Sequence, residues 1–179
     1  MSFALAAAFL LAGPPRFLGP PEKKPAEGEP APVGVGDPAP QFAGTVENAE
    51  AAGVERVELR TLAAGAKAVL ITFFSSACEA CRRELPVLQR LSTEQKGRGL
   101  RILALALDAE GIRLLRESRA SYPVIADPDR RIARQYLGQQ ARFPALAIVD
   151  GSGRIASVKM GYAGDPETFL TAQVDAALR

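Results

Sequence analysis

The sequence predicts an α/β domain whose central mixed sheet is flanked by helices and which ends in a β-hairpin and a C-terminal helix. Short continuous apolar runs are typical of buried strands, and segments with leucines at helical spacing lie between them. The last two predicted strands flank Asp150–Gly153 (DGSG), which is a hairpin signal. With 179 residues, 47% of them hydrophobic, the chain is long enough for one domain of ordinary size.

The N-terminal part of the chain differs from the rest in composition. Residues 1–13 are apolar and suit a secretory signal or a membrane anchor, although no Lys or Arg precedes the run. Residues 14–35 are rich in proline and predict an extended tether, which places the folded domain at 36–179. We therefore predict a periplasmic or extracytoplasmic protein. If residues 1–13 instead form a buried or interfacial helix, the protein is cytoplasmic.

Five strands are predicted within the domain. The first alternates apolar and polar residues (VERVELR), as a strand with one exposed face does, whereas the second and third (AVLITFF and ILALAL) are continuously apolar and therefore central. The remaining two form the hairpin. The predicted strands are 54–60, 68–74, 102–107, 145–149 and 154–160.

Four helices are predicted between and after these strands. In the first, Leu85, Leu88 and Leu91 form one apolar stripe. Asp108 precedes the second helix as a cap, and Asp165 with Pro166 gives the last helix an N-cap followed by proline at its first position. The predicted helices are 79–96, 109–119, 129–137 and 166–178.

The composition excludes several classes of function. The chain has no histidine, which rules out a Ser-His-Asp triad, a Cys-His nucleophile and any imidazole-ligated metal. The 22 basic and 20 acidic residues give a net charge of +2 without a basic run. We therefore predict no nucleic-acid partner and a mixed, solvated surface.

The two cysteines, Cys78 and Cys81, lie at the start of a predicted helix, directly after a buried strand and a short turn. A helix N-terminus presents unpaired amide donors and a partial positive charge, which stabilise a thiolate. A metal site would need two further ligands from carboxylates or a second chain. A structural disulfide that closes so short a loop would add little stability. A redox couple is the favoured interpretation, with no metal.

From Val35 onward the chain contains the motifs GDPAPQF, LITFFSSACEACRRELP, YPVIADPDRRIARQYL and FPALAIVDGSGRI followed by GY. In these motifs it resembles the thioredoxin superfamily. The sequence is most similar to the TlpA/ResA-like branch of extracytoplasmic thiol-disulfide oxidoreductases, within the redoxin group related to AhpC/TSA proteins. The resemblance implies a thioredoxin-like fold.

The resemblance also implies roles for individual residues. Cys78 would be the exposed attacking thiol and Cys81 the buried resolving thiol. Phe143–Pro144 matches a cis-proline position, at which the backbone of Phe143 binds an extended substrate. Glu84 matches an acidic residue that relays a proton to or from Cys81, and the alternative is a solvated glutamate on the helix surface.

The chain departs from the family pattern beside the cysteines. Ala77 replaces the usual tryptophan, which leaves Cys78 more exposed and changes the substrate surface. Arg142 stands where glycine is common, and we hypothesise that bulky Phe143 compensates for the missing tryptophan. Glu79 lies between the cysteines, where its carboxylate raises the thiolate pKa and favours a reductant over an oxidant.

The leading functional hypothesis is a monomeric reductase of disulfides in exported proteins, such as apocytochrome c. It needs no cofactor beyond the Cys78–Cys81 disulfide and is recharged by a membrane thiol reductant of the DsbD/CcdA type. One alternative is a peroxiredoxin-like thiol peroxidase, in which Ser75 fills the hydroxyl position, although Ile71 stands where proline is expected. Another is a non-catalytic binding or assembly module.

Overall fold

The computed structural model describes residues 31–179. Its seven strands are β1 (Ala43–Thr45), β2 (Arg56–Glu58), β3 (Ala68–Phe74), β4 (Leu100–Ala106), β5 (Val124–Ala126), β6 (Ala145–Asp150) and β7 (Ile155–Met160). Its six α-helices are α1 (Ala49–Ala52), α2 (Leu59–Ala63), α3 (Glu79–Glu94), α4 (Ala109–Glu117), α5 (Arg131–Leu137) and α6 (Pro166–Ala177). A short 3₁₀-helix, Lys96–Arg98, follows α3.

The main sheet has the strand order β5-β4-β3-β6-β7. Its central strand β3 is parallel to β4 and antiparallel to β6, so that Ile71 lies opposite Leu103 on one side and Ala147 on the other. Strands β6 and β7 form the predicted antiparallel hairpin. This arrangement confirms the predicted mixed sheet that ends in a hairpin and a C-terminal helix.

All seven residues of β3 are buried because the sheet is covered on both faces. Alternate residues of the strand enter two hydrophobic clusters. Phe73 packs with residues of α2 and α5 on one face. Phe74 packs with residues of α3, α4 and α6 on the other. The continuous apolar run in the sequence reflects this two-sided burial.

The predicted strand 54–60 is wrong beyond Glu58. Strand β2 ends there, and α2 begins at Leu59. Leu59 and Ala63 are both buried, and their spacing of four residues places them on one helical face against the core. Strand β2 pairs with β1 in a separate two-stranded sheet that the sequence did not predict.

Two helix boundaries differ for identifiable reasons. The fifth helix begins at Arg131 instead of residue 129 because Arg130 is in the left-handed region, with φ = 54°. The predicted long helix at 79–96 ends at Glu94, and the chain continues as the 3₁₀-helix to Gly99, whose φ of 97° ends it.

Backbone contacts of the domain begin before the predicted boundary at residue 36. The Val33 amide donates a hydrogen bond to the Tyr136 carbonyl, and the Gly36 amide donates to the Ile155 carbonyl. The predicted segment 1–13 and most of the predicted tether lie outside the described residues. Within residues 31–179, no helix is long and apolar enough to cross a membrane.

Candidate active site

The turn that follows β3 is held by the carboxylate of Asp108, which follows the parallel neighbour β4. One carboxylate oxygen accepts hydrogen bonds from the Ser75 hydroxyl (3.1 Å) and the Ser76 amide (3.0 Å). The other caps α4 by accepting from the Gly111 amide (2.7 Å). Burial raises the pKa of Asp108, but these hydrogen bonds outweigh it and hold the pKa below its usual value. The ionised side chain thus fixes the turn before the cysteines.

Cys78 and Cys81 form a disulfide at the start of α3, with their Cα atoms 5.2 Å apart. Cys78 is the N-cap, and its sulfur accepts a hydrogen bond from the Cys81 amide at 3.1 Å. Cys78 is partly exposed, whereas Cys81 is only 1% exposed. The pair therefore has one accessible sulfur atom and one shielded sulfur atom, and the helix N-terminus faces the accessible one.

Glu84 is buried one helical turn after Cys81, with 2% of its surface exposed. The Tyr162 hydroxyl donates a hydrogen bond to it. Burial raises the pKa of Glu84 to about 7, and the tyrosine hydrogen bond lowers it only in part. The alternative of a solvated surface glutamate is wrong, because the end of the β6–β7 hairpin covers this side chain. A carboxyl group with a pKa near neutrality is suited to proton transfer.

Phe143–Pro144 is a cis peptide bond in the loop before β6. The Gly161 amide binds the carbonyls of Arg142 (3.1 Å) and Pro144 (2.8 Å), which anchors the loop on both sides of Phe143. Neither the amide nor the carbonyl of Phe143 has a hydrogen-bond partner within residues 31–179. These backbone groups are therefore available to an extended chain.

A cavity of about 250 Å³ joins the cis-proline loop to the buried glutamate. Its lining includes Glu84, Phe143 and Pro144. Tyr162 lies on the same cavity and stacks on Phe169, with ring centroids 3.9 Å apart. The cavity gives the Glu84 carboxyl group a route to the surface beside the cis-proline loop.

Ala77 and Glu79 are both exposed next to Cys78. The Glu79 carboxylate forms an ion pair with Arg82, with a nitrogen–oxygen distance of 2.8 Å. A paired and solvated carboxylate perturbs a neighbouring thiolate less than an isolated one does. The predicted effect of Glu79 on the Cys78 thiolate is accordingly smaller than the sequence alone suggests.

The positions compared with a peroxidase motif have structural roles. The Ser75 hydroxyl is committed to Asp108, and Ser75 is buried in the turn. Ile71 lies in the middle of β3, where it is fully buried. Both observations favour a turn serine over a peroxide-binding hydroxyl group.

The sequence profile of the AhpC/TSA family matches residues 35–158, which is more than half of the chain. The chain belongs to the AhpC/TSA family. That match includes both cysteines, Glu84 and the cis-proline loop, and it extends into β7.

Individual relatives place the chain within this family. The thiol-disulfide oxidoreductase ResA of Oceanobacillus iheyensis is 27% identical over 130 residues, which cover 71% of this chain and 65% of that protein. The ResA protein of Bacillus subtilis is 24% identical over 110 residues, which cover 60% of this chain and 59% of that protein. The chain thus spans less than two thirds of the length of these two relatives. The predicted resemblance to the TlpA/ResA-like branch is confirmed.

A solved structure gives the same result for the fold. A Chlorobium tepidum protein that has been assigned as the thiol:disulfide interchange protein DsbE superposes with a TM-score of 0.70 at 25% identity. The superposition covers 82% of this chain and 99% of that protein. The thioredoxin-like fold predicted from the sequence is therefore confirmed.

Two residues of the site were not predicted from the sequence as members of it. Tyr162 belongs to the GY pair after β7, and it contacts Glu84 only because the hairpin returns to α3. Asp108 was predicted only as a helix cap, and its bonds to Ser75 and Ser76 depend on the parallel pairing of β3 with β4. A polar residue directly after each of two adjacent parallel strands is the signal that indicates such a contact.

Proposed function

We propose that this protein is a thiol-disulfide oxidoreductase that reduces disulfides in other proteins through Cys78 and Cys81. The observation that carries the proposal is the asymmetric pair itself: a reachable sulfur at the start of α3 is bonded to a buried one. The unpaired Phe143 backbone and the buried Glu84 lie on the cavity beside it.

The first step is attack by the Cys78 thiolate on one sulfur of a substrate disulfide. A Cys78–substrate disulfide forms, the substrate S–S bond breaks, and the released substrate thiolate takes a proton from water. The amide of Cys81, 3.1 Å from the Cys78 sulfur, supports the negative charge on the attacking thiolate. The free amide and carbonyl of Phe143 pair with the extended substrate backbone and hold its disulfide against Cys78.

The second step is attack by Cys81 on the Cys78 sulfur. This forms the Cys78–Cys81 disulfide, breaks the mixed disulfide and releases the second substrate thiolate, so that two electrons have passed to the substrate. A buried thiol must lose its proton before it attacks, and Glu84 lies one helical turn away on the same face. With its pKa near 7, Glu84 accepts this proton and passes it to the Tyr162-lined cavity.

The finer features of the proposed function come from the family resemblance. The substrates are disulfides of exported proteins such as apocytochrome c, and the site is periplasmic or otherwise extracytoplasmic. A membrane thiol reductant of the DsbD/CcdA type restores the dithiol. The protein works as a monomer, without a cofactor other than the redox-active disulfide.

Cysteine variants test the proposal through the intermediate they leave. When a disulfide-containing protein is added to reduced protein, Cys81→Ser should accumulate a mixed disulfide through Cys78, whereas Cys78→Ser should accumulate none. Non-reducing electrophoresis followed by mass spectrometry identifies the bond. Trapping through Cys81 in the Cys78→Ser variant would reverse the assigned roles. Rapid peroxide consumption without reduction of the protein disulfide would favour the peroxidase instead.

A further inference from the structure

Three arginines lie beside Phe143 or on the cavity that it lines. The guanidinium carbon of Arg130 lies 5.8 Å from the centroid of the Phe143 ring. Arg142 directly precedes Phe143, and its side chain lies against Gly161. Arg83 lines the cavity that Phe143 and Pro144 also line. We refer to Arg83, Arg130 and Arg142 as the arginine rim.

The charges of the arginine rim are not neutralised by the protein. All three residues are exposed. Within residues 31–179, none of their side chains forms a hydrogen bond or an ion pair. By contrast, five other arginines form ion pairs with carboxylates: Arg82, Arg90, Arg98, Arg113 and Arg116.

None of the acidic groups near the rim forms an ion pair with its arginines within residues 31–179. Asp165 lines the same cavity, but its carboxylate accepts hydrogen bonds from the amide and hydroxyl of Thr168. Glu84 is buried and bound by Tyr162. Asp129, next to Arg130 in the chain, is exposed and forms no ion pair within the described residues. The three arginines of the rim therefore have no ion-pair partner within residues 31–179, which leaves their charges available to carboxylates of a substrate.

The backbone conformation and the helix dipole do not favour an arginine at position 130. Its backbone has φ = 54°, a left-handed conformation that is unfavourable for a residue with a Cβ atom and that glycine adopts freely. The residue is also the N-cap of α5, where a positive charge opposes the helix dipole. The cation–π contact with Phe143 lies at an exposed site, where such contacts are weak. Outliers of this kind are expected at functional sites.

We propose that the arginine rim selects substrates whose disulfide cysteine is flanked by acidic side chains. The inference rests on the proposed function, because it assigns the occupant of the groove as an extended, acidic segment of the substrate protein. Such a segment rises about 3.3 Å per residue, so side chains within two or three residues of the cysteine reach the rim when the backbone pairs with Phe143. Charge complementarity at the edge of a binding site mainly sets partner choice and association rate.

Three peptide disulfides that differ only beside the cysteine test this directly. Each carries Glu, Gln or Lys at the two positions on either side, and the reduced full-length protein reduces each at low ionic strength. Every rate is divided by the rate with dithiothreitol, because flanking charges alter the intrinsic reactivity of the disulfide. We expect the normalised rate to be roughly tenfold higher for the Glu peptide than for the Gln peptide, and lowest for Lys. At 0.5 M salt the differences should largely disappear.

Charge reversal provides a gain that a folding defect could not imitate. The double variant Arg130→Glu/Arg142→Glu should prefer the Lys peptide over the Glu peptide. The matched control Lys67→Glu/Lys96→Glu changes the net charge by the same amount. Both lysines are exposed and precede β3 and β4, at the end of these strands that is opposite the cysteines. This control should keep the wild-type preference.

Equal normalised rates for the three peptides with the wild-type protein would overturn the role of the rim while leaving the reductase function in place. Loss of the preference in the lysine control, or its persistence in the arginine variant, would also overturn it. If the reduced protein reduced none of the peptides, the proposed function and this inference would both fail.

Discussion

Replacing Glu84 by glutamine should remove most of the pH dependence of stability between pH 5 and pH 8.5. Burial raises the pKa of Glu84 from 4.5 to about 7 in the folded protein. The folded protein therefore binds the Glu84 proton more tightly than the unfolded chain does. The stability that this proton contributes is complete below pH 4.5 and is lost as the pH rises through 7. One pKa unit corresponds to about 1.36 kcal/mol of free energy. The difference between the pKa of Glu84 in the unfolded and the folded protein therefore corresponds to about 3 kcal/mol of stability.

Between pH 5 and pH 8.5, the free energy of unfolding of the oxidised wild-type protein should therefore fall by about 2.5 kcal/mol relative to Glu84→Gln. Urea titrations at five pH values measure this difference. The chain suits the assay because it has no histidine, and its two cysteines are in a disulfide. Glu110→Gln is the control, since Glu110 is exposed and its hydrogen bond with Arg113 lowers its pKa. Parallel curves for wild type and Glu84→Gln would refute the reasoning.

Four further substitutions should change the free energy of unfolding, which urea denaturation measures. Tyr122→Phe should raise it by about 1 kcal/mol, because the buried hydroxyl has no partner among residues 31–179, whereas Tyr136→Phe should lower it by about 1 kcal/mol by removing the bond to the Pro40 carbonyl. Asn48→Ala should lower it by about 3 kcal/mol, since its side chain makes three buried hydrogen bonds to the segment around β5. Leu88→Ala, at a position with no exposed surface, should lower it by about 2–5 kcal/mol. Changes below 0.5 kcal/mol in any of these would contradict the packing and bonding described.

The main sheet was largely predictable because its strands carry strong local signals. Residues 68–74 are apolar throughout and lie at the centre of the sheet, and the DGSG turn joins the hairpin. The short strand β5 was not predictable, since Val124–Ala126 is too short to show a period and depends on its pairing with β4. Helix α2 was missed because Val57 and Leu59 alternate with polar residues, as in a strand, whereas tertiary packing buries Leu59 at the start of a helix.

The cysteine pair could be placed from the sequence, but its surroundings could not. The position of the pair at the start of a helix, directly after a buried strand, is a local property of the sequence, whereas the different exposure of Cys78 and Cys81 was expected only from the family resemblance. The burial of Glu84 could not be predicted from the sequence, because Arg82 and Arg83 beside it are exposed and the covering residue, Tyr162, lies far along the chain. Proton-transfer groups of this kind are defined by contacts between distant elements.

The reduction potential of the Cys78–Cys81 couple in the full-length protein tests the central claim most directly. The protein is equilibrated with dithiothreitol or glutathione buffers, and the fraction of disulfide is measured after acid quenching and thiol alkylation. The proposed reductase predicts a reversible two-electron couple near the value of thioredoxin, about −270 mV. A potential of about −120 mV, as in a strong oxidant, would contradict the proposal that the protein reduces its substrates. Failure of the two thiols to form a reversible disulfide would contradict the oxidoreductase function itself.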